Sequence, residues 1–280
     1  MIALILTIVC STSIALILKY NDARDGNPLL LLSGNYLIAA LISFFYVLTD
    51  ANATISAKTV VFGIFLAMLF VFAFFAFAKA VSAAGTALAT VSSRLSVIVP
   101  LLLSIVIYGE KPSLYQLTGV IIAIFTIILF YFSLKSDRSK KLHIIDYFYL
   151  LAVLFGIGLN DFAMKIFQQW RPAAEKSYFM MIIFSASTIY TFTILLFKRI
   201  PLERIVLIRG GVLGVPNMFS TFFILLALAQ LPAIVVYPVT NIGIILLTTI
   251  GAAVIWKEKL NLYGKLALIS GIIAIIFLGL

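Results

Sequence analysis

The chain has 280 residues, 64% hydrophobic and 11% charged, with a formal net charge of +10 and a mean hydropathy of +1.20. That much apolar surface exceeds what one soluble core of this length can hide, so the chain is read as living in lipid. Cys10 is the only cysteine and His143, in a basic stretch, the only histidine, which excludes an intrachain disulfide, a thiolate metal centre and a Ser-His-Asp hydrolase inside the bilayer.

Apolar stretches of about 20 residues, long enough to cross a hydrocarbon core of roughly 30 Å as a helix, follow one another along the chain. They run from Ile2 to Leu18, Leu29 to Leu48, Val60 to Ala78, Ala83 to Tyr108, Leu114 to Leu134, Ile144 to Ile166, Tyr178 to Phe197, Ile205 to Leu231, Ala233 to Trp256 and Leu260 to Leu280. The predicted fold class is therefore all-α and integral to the membrane, with ten transmembrane helices. Runs such as Val120 to Phe130 are apolar all round, which is incompatible with the alternation of a membrane β-barrel. The first stretch has no basic leader and no small-residue cleavage site, so it is expected to stay as helix one.

The polar residues inside these stretches are few. Helix two holds Asn35 and Tyr36, and helix four holds Thr90, Ser93 and Arg94. Arg94 falls near the middle of its helix, hence near the membrane midplane. Pro100, beyond it, frees a carbonyl and can bend the helix. Helix six holds Asn160 and Asp161, with Lys165 at the i,i+4 spacing that brings side chains together. Helix eight holds Asn217, Ser220 and Thr221, and its start contains Gly210, Gly211, Gly214 and Pro216, read as close packing in preference to a hinge. Helix nine holds Tyr237, Thr240 and Asn241.

The cations lie at helix ends. Of 20 lysines and arginines, Lys58, Lys111, Lys165, Arg171 and Lys176 adjoin even-numbered loops, Arg94 is inside helix four, and the rest adjoin odd-numbered loops. The positive-inside rule places the odd loops in the cytoplasm and both termini on the other face. A basic face against anionic headgroups accounts for the charge without nucleic acid.

A passage from Val106 to Tyr115 returns from Val254 to Tyr263. In each an apolar run ends in Glu-Lys (Glu110-Lys111, Glu258-Lys259), turns and resumes. At the same offset Ala83-Ala84-Gly85 aligns with Leu231-Pro232-Ala233 and Ser93 with Asn241, and Lys19 pairs with Lys165 across a two-residue gap. The organisation expected is a five-helix repeat over 1–134, a basic linker over 135–143 and a second five-helix repeat over 144–280. An odd number of helices per repeat makes the topology inverted, with substrate near the midplane and one half rocking against the other. The matched glutamates are expected to accept bonds from the amino end of the helix that follows each.

With its tight turn at Ala83-Ala84-Gly85, Pro100 in helix four and the Gly109-Glu110-Lys111 turn, the chain resembles the drug/metabolite transporter superfamily. Its second half resembles the EamA branch in Val215-Pro216-Asn217, Leu231-Pro232-Ala233, Tyr237-Pro238 and Lys257-Glu258-Lys259. The resemblance implies export of amino acids or other metabolites. Helix one holds no acid from Met1 to Lys19, which departs from the proton-coupling glutamate of the short four-helix relatives.

A secondary active exporter of a small polar metabolite is the expected function, in a bacterial inner membrane. The candidate substrate-binding residues are Arg94, Ser93, Thr90, Asn35, Tyr36, Asn160, Asp161, Asn217, Ser220, Tyr237, Thr240 and Asn241. Arg94 either faces a wet cavity and pairs with a carboxylate or phosphate of the substrate, or pairs structurally with Asp161 or snorkels toward the interface. Asp161 either neutralises Lys165 or carries a proton or a substrate ammonium. A zwitterionic amino acid would suit Arg94 and Asp161 together. No Gly-x-x-x-x-Gly-Lys-Ser/Thr run is present, so no nucleotide, cofactor or metal is expected and the drive is a coupling proton or the substrate gradient. A flippase for a lipid-linked phosphate and a non-transporting scaffold or receptor are the alternatives. A polar cavity, a groove opening sideways to lipid and a dry interior would distinguish the three.

Overall fold

The computed structural model describes residues 1–22, 26–84, 86–134, 143–255, 257 and 261–279. The linker from Lys135 to Lys141, Gly85, Trp256 and the Glu258-Lys259 turn lie outside the described residues. Among the described residues all regular structure is helical: α1 Ile2–Asp22, α2 Pro28–Thr49, α3 Ala57–Ala84, α4 Thr86–Leu95, α5 Ile98–Tyr108, α6 Leu114–Leu134, α7 Ile144–Trp170, α8 Lys176–Phe197, α9 Arg204–Gln230, α10 Ala233–Ile255 and α11 Leu262–Gly279. Ten spans, α4 and α5 together making one, are long and apolar enough to cross a membrane.

Local sequence sets the helix ends. The Asn27 side chain accepts from the amides of Leu29 and Leu30 at 3.0 and 3.2 Å, with Pro28 in the first turn of α2. Ser113 and Gln116 exchange side-chain bonds with each other's amides at the start of α6, both 3.1 Å. Asp146 accepts from the amide of His143 at the start of α7. Gly109 ends α5 in the left-handed region, at φ 64°, where a side chain would be strained.

Helix four is one span in two pieces, interrupted close to Pro100, where the sequence allows a bend. It breaks between α4 and α5, four residues ahead of Pro100. A proline has no amide to offer the Ser96 carbonyl, which accepts instead from Val99 at 3.0 Å, a tighter turn. The Ser96 hydroxyl folds back to the Ser93 carbonyl at 2.6 Å. The break follows directly on the last turn of α4, which carries Arg94.

Several helix pairings recur when the two halves are exchanged. α2 packs most extensively on α9, and α8 packs on α3 as well as on α2. α1 packs on α9 and α10 as α7 packs on α3 and on the α4–α5 pair, while α2 meets α8 and α6 meets α11. α10 is the most enclosed span, with 72% of it buried against 17% for α1, so it forms the wall around which the interior is arranged. Outward side chains such as Phe45, Val106 and Leu196 are exposed and apolar, which is what a helix facing hydrocarbon requires.

The glycines of α9 pack closely. A Cβ on Gly210 would lie 2.0 Å from the Leu31 carbonyl oxygen, and one on Gly34 2.3 Å from that of Leu207, so α2 and α9 touch backbone to backbone. Gly210→Ala is expected to lower the thermal unfolding midpoint in detergent by several degrees, since overpacking costs about 1–3 kcal/mol. Gly211→Ala, whose methyl would meet the movable Ile38 side chain at 3.1 Å, is expected to cost less. Circular-dichroism melting of the two variants checks the order.

Candidate functional site

A cavity of about 200 Å³ lies where α1, α3, α4, α7, α9 and α10 meet. α7 lines it with Ile157, Asn160, Asp161 and Met164, and α10 with Tyr237, Thr240, Asn241 and Ile244. Both sets follow the i, i+3, i+4, i+7 spacing of one helix face. α9 adds Ser220, Thr221 and Ile224, and the end of α4 adds Ser93 and Arg94. Helical periodicity thus gathers polar groups from both halves of the sequence into one space.

Of the sequence-predicted residues, Arg94, Ser93, Asn160, Asp161, Ser220, Tyr237, Thr240 and Asn241 line this cavity. Thr90, one turn before Arg94, is half-buried outside its lining. Asn35 and Asn217 also lie outside it; the Asn217 amide donates to the Asn35 oxygen at 3.1 Å and fastens α9 to α2. Tyr36 is buried in the main hydrophobic cluster. Thr7 and Ser11 of α1 and Phe70 of α3 complete the wall and were not predicted. α1 carries four serine and threonine hydroxyls, Thr7, Ser11, Thr12 and Ser13, and the i,i+4 spacing of Thr7 and Ser11 is what sets those two on one face.

Several lining groups are held in place. The hydroxyls of Ser11 and Ser220 lie 2.7 Å apart and join α1 to α9. Tyr237 donates its hydroxyl to the backbone carbonyl of Asp161, linking α10 to α7, and the Asn241 amide donates to the Tyr237 carbonyl at 3.1 Å. Other groups are unused. Asn160 Oδ1 and Thr240 Oγ1 are buried without a hydrogen-bond partner among the described residues, a state that ordinarily costs about 1–3 kcal/mol for each group.

The charges follow a different pairing from the one expected. Lys165 does not neutralise Asp161; its Nζ lies 3.0 Å from Glu110 Oε1. Glu110, in turn, does not cap the helix that follows it. Its two oxygens accept from the amides of Ala233 and Ile234, at 2.9 and 3.0 Å, at the start of α10. The Ser113 and Gln116 box already serves the first amides of α6, which leaves Glu110 free to reach across. Asp161 and Arg94 are both half-buried on the cavity wall. Among the described residues no ion pair joins them, though their opposite charges act on each other.

A second charged cluster stands apart. Arg171 holds Glu175 through two nitrogens, at 2.7 and 3.0 Å, and donates to Ser56 at 2.8 Å, while Thr59 donates to the same carboxylate. This ties the start of α3 to the turn between α7 and α8 and shares no residue with the cavity. A larger apolar groove of about 470 Å³, on the outer surface beside Lys58, Phe62, Phe65 and Trp170, also has no residue in common with it.

Residues 1–132 match the EamA-like transporter family. An uncharacterized protein of Haemophilus influenzae is 30% identical over 288 residues, an overlap covering 97% of this chain and 95% of that protein. A protein of known crystal structure superimposes with a TM-score of 0.77 over 99% of this chain and 94% of its own, at 13% identity, a likeness of fold alone. Tyr237→Phe, which removes only the hydroxyl bond to the Asp161 carbonyl, is expected to destabilise the protein by about 1 kcal/mol. Its thermal midpoint beside that of the unaltered protein measures the loss.

Proposed function

The chain belongs to the EamA-like transporter family, and from that premise we propose that it is a secondary active carrier exporting a small polar metabolite, an amino acid or a similar zwitterion, by alternating access. Its role as a multi-pass membrane transporter rests on that family and on ten apolar spans. The observation that carries the finer reading is the cavity itself, which holds one guanidinium and one carboxylate on opposing helices without an ion pair between them. A ligand bearing both charges would complete each with a charge-assisted hydrogen bond. The unpartnered oxygens of Asn160 and Thr240 offer further acceptors beside them.

Arg94 then holds the substrate carboxylate and Asp161 its ammonium or the coupling proton, with Ser93, Ser220, Tyr237 and Asn241 shaping the space between. The reading assigns the chain no chemical step on its substrate. The exchange of helix partners between halves supports an inverted repeat, and with it a site reached from either face in turn. The lateral groove has no cavity residue in it, so it gives the flippase alternative no support. We place the chain in a bacterial inner membrane, and its cation distribution favours odd-numbered loops in the cytoplasm.

A thermal-shift screen of amino acids and small carboxylates on the purified protein identifies a compound to follow in proteoliposome counterflow. Arg94→Ala is expected to reduce that flux roughly thirtyfold or more, the loss typical of a buried charge pair deprived of one partner, with a folded protein still in the membrane. Flux equal to that of the unaltered protein would remove Arg94 from the site. For orientation, alkaline phosphatase fused after Leu280 is expected to be active. A green fluorescent protein that matures at the same point only in the cytoplasm would reverse the assigned topology.

A further inference from the structure

One turn beyond the cavity, on the face where α5 ends and α10 begins, a charged knot joins the two halves of the chain. Glu110, delivered by the turn at Gly109, sets one oxygen against Ala233 N and the other against Ile234 N, while Lys165 Nζ lies 3.0 Å from the first of these oxygens. The side chains are little exposed, 5% for Lys165 and 12% for Glu110, and the Tyr108 ring flanks the ammonium at 5.9 Å. Three positive sources converge on one carboxylate: an ammonium and two free amides at the positive end of a helix dipole. Both helices that carry these partners continue into the cavity wall, Lys165 standing four residues after Asp161 and Ala233 four before Tyr237.

We infer that Glu110 is the gate residue of this face, holding α5, α7 and α10 together while the cavity is closed to that side and releasing α10 when it opens. The inference rests on the alternating-access reading above. A carrier must break its closed face without stranding charge in a dry interior. Lys165 has a second carboxylate within reach, since Asp161 lies at the i,i+4 spacing on the same helix. When Glu110 withdraws toward water, Lys165 turns to Asp161, and the amides at the start of α10 become solvated in the opened vestibule. The exchange of one lysine between two carboxylates couples the gate to the cavity. The Arg171–Glu175 cluster, with both its ends away from the cavity, has no such second partner there.

The test reads access from each face, using Ser220→Cys as the only cysteine in a Cys10→Ser protein reconstituted in vesicles, with a membrane-impermeant methanethiosulfonate reagent. Glu110→Ala is expected to speed labelling from the Glu110 face by roughly tenfold or more, given the loss that follows removal of one partner of a buried pair, and to leave labelling from the opposite face unchanged. Glu110→Gln, which keeps one acceptor oxygen and loses the charge, is expected to give a smaller increase. It carries the test if the alanine variant does not fold. Labelling from the Glu110 face at the unaltered rate in the folded variants, or an equal increase from both faces, overturns the gate. Labelling needs no transported solute, so a gate that responds in a protein that carries nothing would count against the transport reading alone. Unaltered labelling beside intact counterflow would count against the gate alone.

Discussion

Hydrocarbon offers no hydrogen bonds, and this constraint governs the rest of the structure. Every polar group within the spans must find a partner inside the protein or face a space where something polar can enter. Most hydroxyls take the nearest solution and return to a carbonyl of their own helix, as Thr7, Thr188, Thr191 and Thr249 do. Others staple helices together, as Thr126 does to Ser270 at 2.9 Å. Of the buried atoms left without a partner among the described residues, those of Thr12, Ser43, Ser104 and Ser187 are scattered through the helices, while those of Asn160 and Thr240 share a cavity with Arg94 and Asp161.

The same constraint explains why the break in helix four matters. Pro100 removes an amide that the Ser96 carbonyl would have used, and Val99 and the Ser96 hydroxyl repair the turn locally. The helix is interrupted just past its one cation. On the neighbouring helices, α7 and α10 present the same four-residue face to the cavity, so a broken element faces two continuous ones.

Much of this was legible in the residues. Ten spans follow from runs of apolar side chains, because length against hydrocarbon thickness is a one-dimensional criterion, and Arg94 and Asp161 stood out because a charge in such a run needs a reason. The placement of Asn35 and Asn217 was not legible: an amide that staples two helices and one that lines a cavity have the same sequence signature, and only the approach of α2 to α9 separates them. Nor was the destination of Glu110. The repeat marked it as the end of a helix and pointed to the amino end of the helix that follows. Its partners at Lys165 and at the start of α10 are distant in sequence, and no local rule connects them. Ser11 passed as an ordinary polar residue of an apolar helix because its partner, Ser220, is more than two hundred residues away.

The contact between α2 and α9 bears on mechanics. Two backbones that meet at Gly34 and Gly210 and share the hydrogen bond that the Asn217 amide donates to Asn35 cannot slide past one another without losing both. A motion that spares this seam carries α2 with α9. A body that keeps this seam joins a helix from the first half of the sequence to one from the second, so it is not a contiguous stretch of the chain.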